Sequence, residues 1–277
     1  MMIKIFGLKK IYFFFSSVVI FLLHIPFVFA KTKPAGMPLF ESGIPPAINS
    51  DGLLSTDDTE GRFKFSLYDS LRLGSLGLGR QVFDYAMQGF NFMKQMGTLG
   101  NDQIISIVDF SKPSSQKRLF VIDLKNYKIL FNTYVAHGMQ SGKEFASRFS
   151  NTPESNKSSL GFYETLGTYM GGNGYSMRLQ GIEPGINDNA NKRDIVMHGA
   201  GYVNESFIHS RGYIGRSWGC PAVSQRLHKP IIDKIKNGSC LFIFSPDRNY
   251  LSHSRILNSN FRSDFAFNFN KVPARRG

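Results

Sequence analysis

A cysteine on a constrained turn is the first feature of the chain that indicates chemistry. Cys220 follows Gly219 and precedes Pro221. The proline disfavours the helical region for Cys220, and the glycine permits a tight turn at which a ligand can approach bare backbone. A thiol presented on such a turn, together with backbone N–H donors, has the parts that acyl transfer requires.

His198 is the predicted base for this thiol. A free thiol with a pKa near ~8.5 is little ionised at neutral pH, so it needs a base or a cation nearby. His198 ends the apolar segment 195–197, which predicts a strand that holds the imidazole with little freedom. The carbonyl of Gly199 is then placed to fix its tautomer. The alternative is a structural histidine. If the pair forms, we expect it to lower the pKa of Cys220.

Other polar residues give weaker signals. We predict that His137 lines the cleft and holds substrate, with a structural loop histidine as the alternative. Arg216, four residues before the thiol, is the predicted clamp for a substrate carboxylate, because guanidinium groups bind carboxylates in a bidentate manner; Arg178 and Arg193 are weaker candidates. Surface roles are expected for His209, His228 and His253. No spacing typical of a zinc site occurs, so we expect neither metal nor cofactor.

The second cysteine has a different setting. Cys240 lies in the apolar run 239–244, which is typical of a buried strand. In an oxidising compartment two cysteines can form a disulfide, and this is the alternative for Cys220 and Cys240. We interpret Cys240 instead as a small buried hydrophobe.

The apolar pattern predicts a strand-rich α+β domain with a helical N-terminal extension. A helix is predicted at 80–96, where Val82, Ala86, Phe90 and Met93 form one stripe. Strands are predicted at 104–110, 119–124, 129–136, 176–180, 194–198 and 240–244. A short helix at 231–236 would begin after Pro230. The Gly-rich passage 137–174 reads as loop, and its end, 171–174, as a turn or lid.

Both ends of the chain are expected to lie outside the fold. Lys4, Lys9 and Lys10 precede an apolar run at 11–29 that ends at Ala30, the pattern of a signal peptide at 1–30. An uncleaved membrane anchor is the alternative, and only it would keep the protein near a membrane. Residues 31–75 are predicted to be a flexible arm, 76–254 the catalytic domain, and 255–277 a basic tail. The protein is therefore expected to be exported to the periplasm or cell envelope.

The charge of the chain is strongly positive. The formal net charge is +13, and it falls to +10 when the leader with its three lysines is removed. Such a charge favours anionic surroundings, which outside the cytoplasm means wall polymer or phospholipid headgroups. Nucleic acid is not expected, because no stretch concentrates Lys and Arg with interleaved aromatics. A solvated basic surface is the alternative.

Two ordered motifs together resemble a known family. Met197-His198-Gly199-Ala200, followed by the segment 215–221 around Cys220, is similar to the signature of the L,D-transpeptidase catalytic domain, the YkuD-type fold, in its murein L,D-transpeptidase branch. Segments 121–124, 135–138, 149–151, 158–161 and 193–196 are similar as well, and the resemblance covers about 76–254. It implies a β-sandwich or barrel fold.

The resemblance also implies a set of site residues. Cys220 would be the nucleophile, His198 the base, and the Gly199 carbonyl the group that orients the base. The N–H groups of Trp218, Gly219 and Cys220 would form the oxyanion hole, with Ser217 beside them in the motif. The chain departs from the commonest family pattern at Trp218, which replaces a histidine, and at Ala222, which stands where an arginine or asparagine is usual.

The activity implied by the resemblance is cross-linking of peptidoglycan. The thiolate would attack the third residue of a tetrapeptide stem, release the terminal D-alanine, and pass the acyl group to the side-chain amine of a second stem as a 3–3 cross-link. Two alternatives remain open. An L,D-carboxypeptidase would pass the acyl group to water, and a wall-binding protein would keep the fold without turnover.

Overall fold

The computed structural model describes residues 67–259 of the 277. The predicted leader at 1–30, residues 31–66 of the predicted arm and residues 260–277 of the predicted tail lie outside the described residues. Within 67–259, no helix is long and apolar enough to cross a membrane.

The described residues form one mixed sheet with helices around it. The strands are β1 Ile104–Asp109, β2 Leu119–Asp123, β3 Lys128–Thr133, β4 Gly161–Gly171, β5 Gly174–Gly181, β6 Val196–Ala200, β7 Ala222–Ser224 and β8 Cys240–Phe244. The helices are α1 Arg80–Gln95, α2 Glu205–Arg211, α3 His228–Ile235, α4 Arg248–His253 and α5 Arg255–Asn258. The eight strands lie in the order β3-β2-β1-β8-β4-β5-β6-β7.

The centre of the sheet is its most apolar part. Every residue of β1 and of β8 is buried, and the two strands pair in parallel. Strands covered on both faces read as continuous apolar runs rather than as alternating ones, which explains the sequence pattern here. Helix α1 packs on this centre, and Gly89 makes the approach possible, because a Cβ there would lie 2.0 Å from the Phe162 ring.

The far edge of the sheet is covered by a segment outside the strands. Ala136 forms an antiparallel bridge with Ala222 of β7, and Gly138 forms a parallel bridge with Ser217. An uncovered edge strand would present unpaired N–H and C=O groups, so these bridges nearly close the sheet into a barrel-like sandwich. The predicted strand-rich α+β fold, with a helix at its N-terminal side, is confirmed.

Several predicted elements differ from the observed ones. Strand β4 lies inside the passage 137–174 that the sequence assigns to a loop, because its glycines and its register shift between Thr165 and Thr168 hide the strand pattern. Helix α2 was not predicted; Asn204 caps its start by accepting the N–H of Phe207. Helix α3 begins at His228, two residues before Pro230.

The predicted limits of the arm and the tail are wrong where they meet the fold. Leu67 and Leu73 belong to the stretch assigned to the arm, yet both are fully buried. Ile256 belongs to the stretch assigned to the tail, yet it lies buried on α5. Apolar side chains at these positions gain by leaving water, so residues 67–75 and 255–258 are part of the domain.

A buried arginine holds the residues that connect β3 to the covering segment. Arg118 is fully buried. Its Nε and Nη2 donate to the Val135 carbonyl at 3.1 and 2.9 Å, its Nη1 donates to the Lys112 carbonyl at 2.9 Å, and its Nη2 lies 2.7 Å from Nδ1 of His137. Since a guanidinium only donates, Nδ1 of His137 must accept and the ring must be neutral.

The imidazole of His137 is held in this neutral form by its surroundings. Burial, and next the charge of Arg118, lower the pKa of His137 to about 3. In the unfolded chain the same ring has its ordinary pKa near ~6.5. The unfolded state therefore binds the extra proton below that pH, and the contribution of His137 to stability is lost as the pH falls from about 6.5 toward 3.

We predict that replacing His137 flattens this pH dependence. In His137→Asn the amide oxygen accepts from Arg118 and cannot be protonated. Below pH 6 the free energy of unfolding of this variant should therefore fall less steeply with pH than that of the wild type, by about 1.4 kcal/mol per pH unit. Urea unfolding of both proteins from pH 7 to 4 measures it. His209→Asn, at an exposed position of α2, should keep the wild-type slope, and equal slopes in all three proteins would contradict the assignment.

Candidate active site

Strand β6 carries the predicted base and contacts the predicted nucleophile. His198 pairs with Ala222 in a parallel register, and Cys220 lies two residues before Ala222. Val196 and His198 lie two positions apart on β6, so the strand that contacts the sulfur also carries the predicted base. The sulfur of Cys220 accepts the Val196 N–H at 3.5 Å, and its thiol faces the Asp194 carbonyl at 3.6 Å.

His198 has the tautomer that a base needs. The ring is 5% exposed, and Nδ1 lies 3.0 Å from the Gly199 carbonyl oxygen. A carbonyl only accepts, so Nδ1 carries the proton and Nε2 is left with its lone pair. Burial lowers the pKa of His198, the Gly199 contact opposes this, and the charge of His228 adds to the lowering. The imidazole is therefore neutral and ready to accept a proton near pH 7.

The thiol of Cys220 is also neutral at rest. Burial raises the pKa of Cys220 above its ordinary value, and the Val196 N–H and the charge of Arg193 only partly oppose that shift. The expectation that a histidine partner lowers the pKa of this thiol is wrong, because His198 is itself uncharged. The two predicted partners are therefore both neutral at rest, and they form no preformed ion pair.

A hydrogen-bonded turn sets the conformation of the nucleophile. The Ser217 hydroxyl accepts the Gly219 N–H at 3.1 Å and donates to the Cys220 carbonyl at 2.6 Å. The Gly219 N–H is therefore already used within the turn, and the predicted hole of three donors is reduced to the N–H groups of Trp218 and Cys220. The side chain of Trp218 is 77% exposed.

The segment 136–139, which we call the clasp, holds this turn from both sides. The Ala136 N–H donates to Ala222 at 2.8 Å, beyond the turn. Before the turn, the Ser217 N–H donates to the His137 carbonyl at 3.0 Å, and the Met139 N–H donates to Ser217 at 2.7 Å. The nucleophile is thus fixed at both ends by backbone pairing.

Glycine at two positions allows the clasp and the turn to touch. A Cβ on Gly138 would lie 2.9 Å from Cα of Gly219 and 2.5 Å from the Asn156 carbonyl oxygen. Gly219 has φ +123°, a conformation that L side chains rarely adopt. Ser158 joins the clasp to the turn, since its hydroxyl accepts the Gly138 N–H at 3.0 Å and donates to the Gly219 carbonyl at 3.1 Å.

His198 opens into a cleft of about 430 Å³. The β4–β5 turn forms one wall, so the predicted turn at 171–174 is confirmed and lies beside the base. Tyr202 forms another wall, and the sequence interpretation missed it. Burial, and next the charge of Cys220, raise the pKa of Tyr202 to about 12. Its position just after the histidine motif was the available signal.

The remaining predicted site residues lie elsewhere. His137 is fully buried behind the clasp, so the predicted substrate contact is wrong. Nη1 of Arg216 donates to the carbonyls of Gly142 at 3.0 Å and Met139 at 3.4 Å, which leaves its charge beside the clasp. Arg193 makes four hydrogen bonds to the segment 150–159, and Arg178 is exposed over Tyr169.

Both cysteines are free thiols. Cys240 is fully buried on β8, in agreement with the predicted buried strand, and it forms no disulfide with Cys220. Of the three minor histidines, His209 and His253 are exposed, whereas the His228 ring lies 2.7 Å from the position of a Cβ on Gly199. Within residues 67–259, no group of three His, Cys, Asp or Glu side chains could hold a metal ion.

The chain matches the family profile of the L,D-transpeptidase catalytic domain over residues 75–244. No curated protein matches it. Solved structures similar to the chain include an L,D-transpeptidase from Mycobacterium smegmatis (13% identity, TM-score 0.32, 52% of this chain and 59% of that one). Another is an L,D-transpeptidase (Yku) from Stackebrandtia nassauensis (16% identity, TM-score 0.32, 73% of this chain and 84% of that one). The chain thus spans about three fifths of the Mycobacterium smegmatis protein.

The raised pKa of the thiol gives a direct test of the site's electrostatics. We predict that Cys220 ionises above ~8.5, because burial outweighs the Val196 and Arg193 contributions. Thiolate absorbance near 240 nm, recorded against pH as the difference between wild type and Cys220→Ala, measures it. Cys240, which is also buried, is present in both proteins, so its absorbance cancels in the difference. A midpoint below pH 7 would show instead that a thiolate–imidazolium pair exists at rest.

Proposed function

The chain belongs to the L,D-transpeptidase catalytic domain family, and we propose on that premise that it forms 3–3 cross-links in peptidoglycan through a thioester on Cys220. The observation that carries the proposal is the position of His198. Its Nδ1 proton is held by the Gly199 carbonyl, which leaves Nε2 free, and His198 lies two residues along β6 from Val196, whose N–H binds the sulfur of Cys220.

Acylation uses the neutral pair. Sγ of Cys220 attacks the carbonyl carbon of the third residue of a tetrapeptide stem while Nε2 of His198 takes the thiol proton. The resulting imidazolium keeps its bond to the Gly199 carbonyl, which stabilises it. When the tetrahedral intermediate collapses, the carbon–nitrogen bond breaks, the His198 proton passes to the departing nitrogen, and D-alanine leaves.

Transfer to the second stem repeats the same proton movement in reverse. The side-chain amine of the acceptor attacks the thioester carbonyl, and Nε2 of His198 takes a proton from it. The carbon–sulfur bond then breaks, and the proton returns to the Cys220 sulfur. Water in place of the amine would give the trimmed tripeptide, which is the L,D-carboxypeptidase reaction.

The oxyanion would be held by the turn around the nucleophile. The N–H groups of Trp218 and Cys220 are its donors, since Ser217 occupies the Gly219 N–H. Preorganised donors of this kind are worth about 3 kcal/mol each in acyl transfer. Arg216 supplies a cation beside the clasp, and we propose it as the partner of the substrate carboxylate that the arginine or asparagine missing at Ala222 would otherwise bind.

We also propose that the protein works outside the cytoplasm, in the periplasm or cell envelope. Its substrate, the stem peptides of peptidoglycan, lies there, and the basic charge of +10 expected after removal of the leader suits an anionic wall. The proposal requires no nucleic acid partner.

The proposal predicts that replacing Cys220 abolishes activity and that replacing Cys240 does not. Cys220→Ala should abolish release of D-alanine from tetrapeptide stems, because no nucleophile remains. Cys240→Ala should retain most of it and lose stability, since it leaves a small cavity in the core. His198→Gln should reduce the rate by about 10²–10⁴-fold, the usual contribution of a general base. Amino acid analysis measures D-alanine, and circular dichroism checks the fold.

Mass spectrometry of the same reactions separates the alternatives. Cross-linked dimers in the wild-type reaction support the transpeptidase, and tripeptides without dimers support the carboxypeptidase. Folded wild-type protein that binds stems and releases no D-alanine would be the wall-binding protein. Full activity of Cys220→Ala would show that the nucleophile has been misassigned.

A further inference from the structure

A second, larger cavity adjoins the cleft that contains His198. Its volume is about 640 Å³, and it lies between the end of β3, the ends of β6 and β7, and the start of α2. It shares Ala200, Gly201 and Gln225 with the His198 cleft. The two cavities are therefore neighbours with a common wall, and a single extended ligand can occupy both.

Strand β6 connects the thiol contact, the base and this cavity. Cys220 contacts Val196, His198 pairs with Ala222, and Ala200 pairs with Ser224. Val196, His198 and Ala200 follow one another along β6 in steps of two residues, about 6.6 Å each. Ala200, at the edge of the cavity, therefore lies about 13 Å along β6 from Val196, the residue that binds the sulfur, and His198 lies between them.

The charged groups of the cavity favour an anionic ligand. Lys117 and Arg226 line it, and neither forms an ion pair or a side-chain hydrogen bond within the part of the chain that the structure describes. The acid of the lining, Glu205, accepts from the Tyr134 hydroxyl at 3.3 Å. Two cations against one carboxylate leave the cavity positive.

Neutral polar groups on the common wall are also available to a ligand. The Ser224 hydroxyl and the Gln225 amide make no side-chain hydrogen bond to the described residues, although both line the cavity. Hydroxyl and amide groups can donate and accept, which suits the N–H and C=O groups of a peptide backbone. The lining thus matches a peptide that carries carboxylates.

We propose that this cavity binds the acceptor stem, the second peptide of the cross-linking reaction, with Lys117 and Arg226 on its carboxylates. The assignment rests on the proposed function. This assignment places the acceptor stem on the His198 side of the thioester. The side-chain amine of the acceptor then approaches the acyl carbon past the imidazole of His198, which must take the proton of that amine. The donor stem then lies on the opposite side, toward the Trp218 turn and Arg216.

Binding of an acceptor that cannot act as a donor tests the assignment without turnover. A tripeptide stem has no terminal D-alanine to lose, and titration calorimetry gives its Kd for Cys220→Ala protein. Adding Lys117→Gln and Arg226→Gln should raise this Kd about fivefold to tenfold, since each exposed cation contributes a modest charge interaction. The control pair, Lys128→Gln with Arg248→Gln, removes the same charge at exposed positions outside the cavity and should change Kd less than twofold.

The product ratio in protein that retains Cys220 gives the second readout. With Lys117→Gln and Arg226→Gln, the ratio of cross-linked dimer to hydrolysed tripeptide should fall about fivefold, because water still reaches the thioester. An unchanged Kd and ratio, or equal losses in the control pair, would overturn the assignment of the cavity. Wild-type protein that releases no D-alanine would instead contradict the proposed function, and the Kd comparison would still decide whether the cavity binds the stem.

Discussion

The site depends on backbone pairing between two segments that are distant in the sequence. The clasp, residues 136–139, bonds to Ser217 on one side of the nucleophile and to Ala222 on the other. Gly138 and Gly219 lie where the clasp and the turn meet, and a side chain on either residue would collide with backbone. The turn that carries Cys220 is therefore held by hydrogen bonds that need no side-chain adjustment, and its N–H donors keep fixed directions. Such preorganisation is what stabilises a developing oxyanion at little cost during the reaction.

The clasp in turn depends on a buried cation. Arg118 binds the Val135 carbonyl and the ring of His137, the two residues that flank Ala136. Losing the guanidinium would leave these buried acceptors without donors, at about 1–3 kcal/mol for each group. The residue that appeared in the sequence to be a substrate ligand, His137, is thus part of the support for the turn. Its role follows from burial, which the local sequence does not reveal.

Burial also decides how the catalytic pair is charged. A thiol beside a cationic partner would ionise easily, but His198 is desolvated and neutral, and Cys220 shares its surroundings. Among residues 67–259, the charge of Arg193 favours the thiolate, and Arg193 is itself bound to the segment 150–159. In this account the proton moves when the substrate carbonyl arrives, so substrate binding and activation of the nucleophile are coupled.

The candidate residues of the site were easier to find in the sequence than the residues that support them. Cys220, His198 and Gly199 stood out as candidates because glycine, proline and an apolar strand constrain them locally. Strand β4 and the limits of the domain at Leu67 and Ile256 could not, because they depend on contacts with distant residues. The Ser217 side chain, which occupies the Gly219 N–H, and Tyr202, which faces the cleft, were missed for the same reason. Lys117 and Arg226 are far apart in the sequence, and only the folded sheet brings them to the same cavity.

The central claim, that a thioester forms on Cys220, is tested most directly by trapping it. Wild-type protein mixed with a tetrapeptide stem, without acceptor, and quenched in acid within seconds should gain the mass of the tetrapeptide minus the mass of one free D-alanine. Digestion should place this mass on the peptide that contains Cys220. Release of D-alanine with no adduct on Cys220, or with the adduct on another residue, would contradict the account.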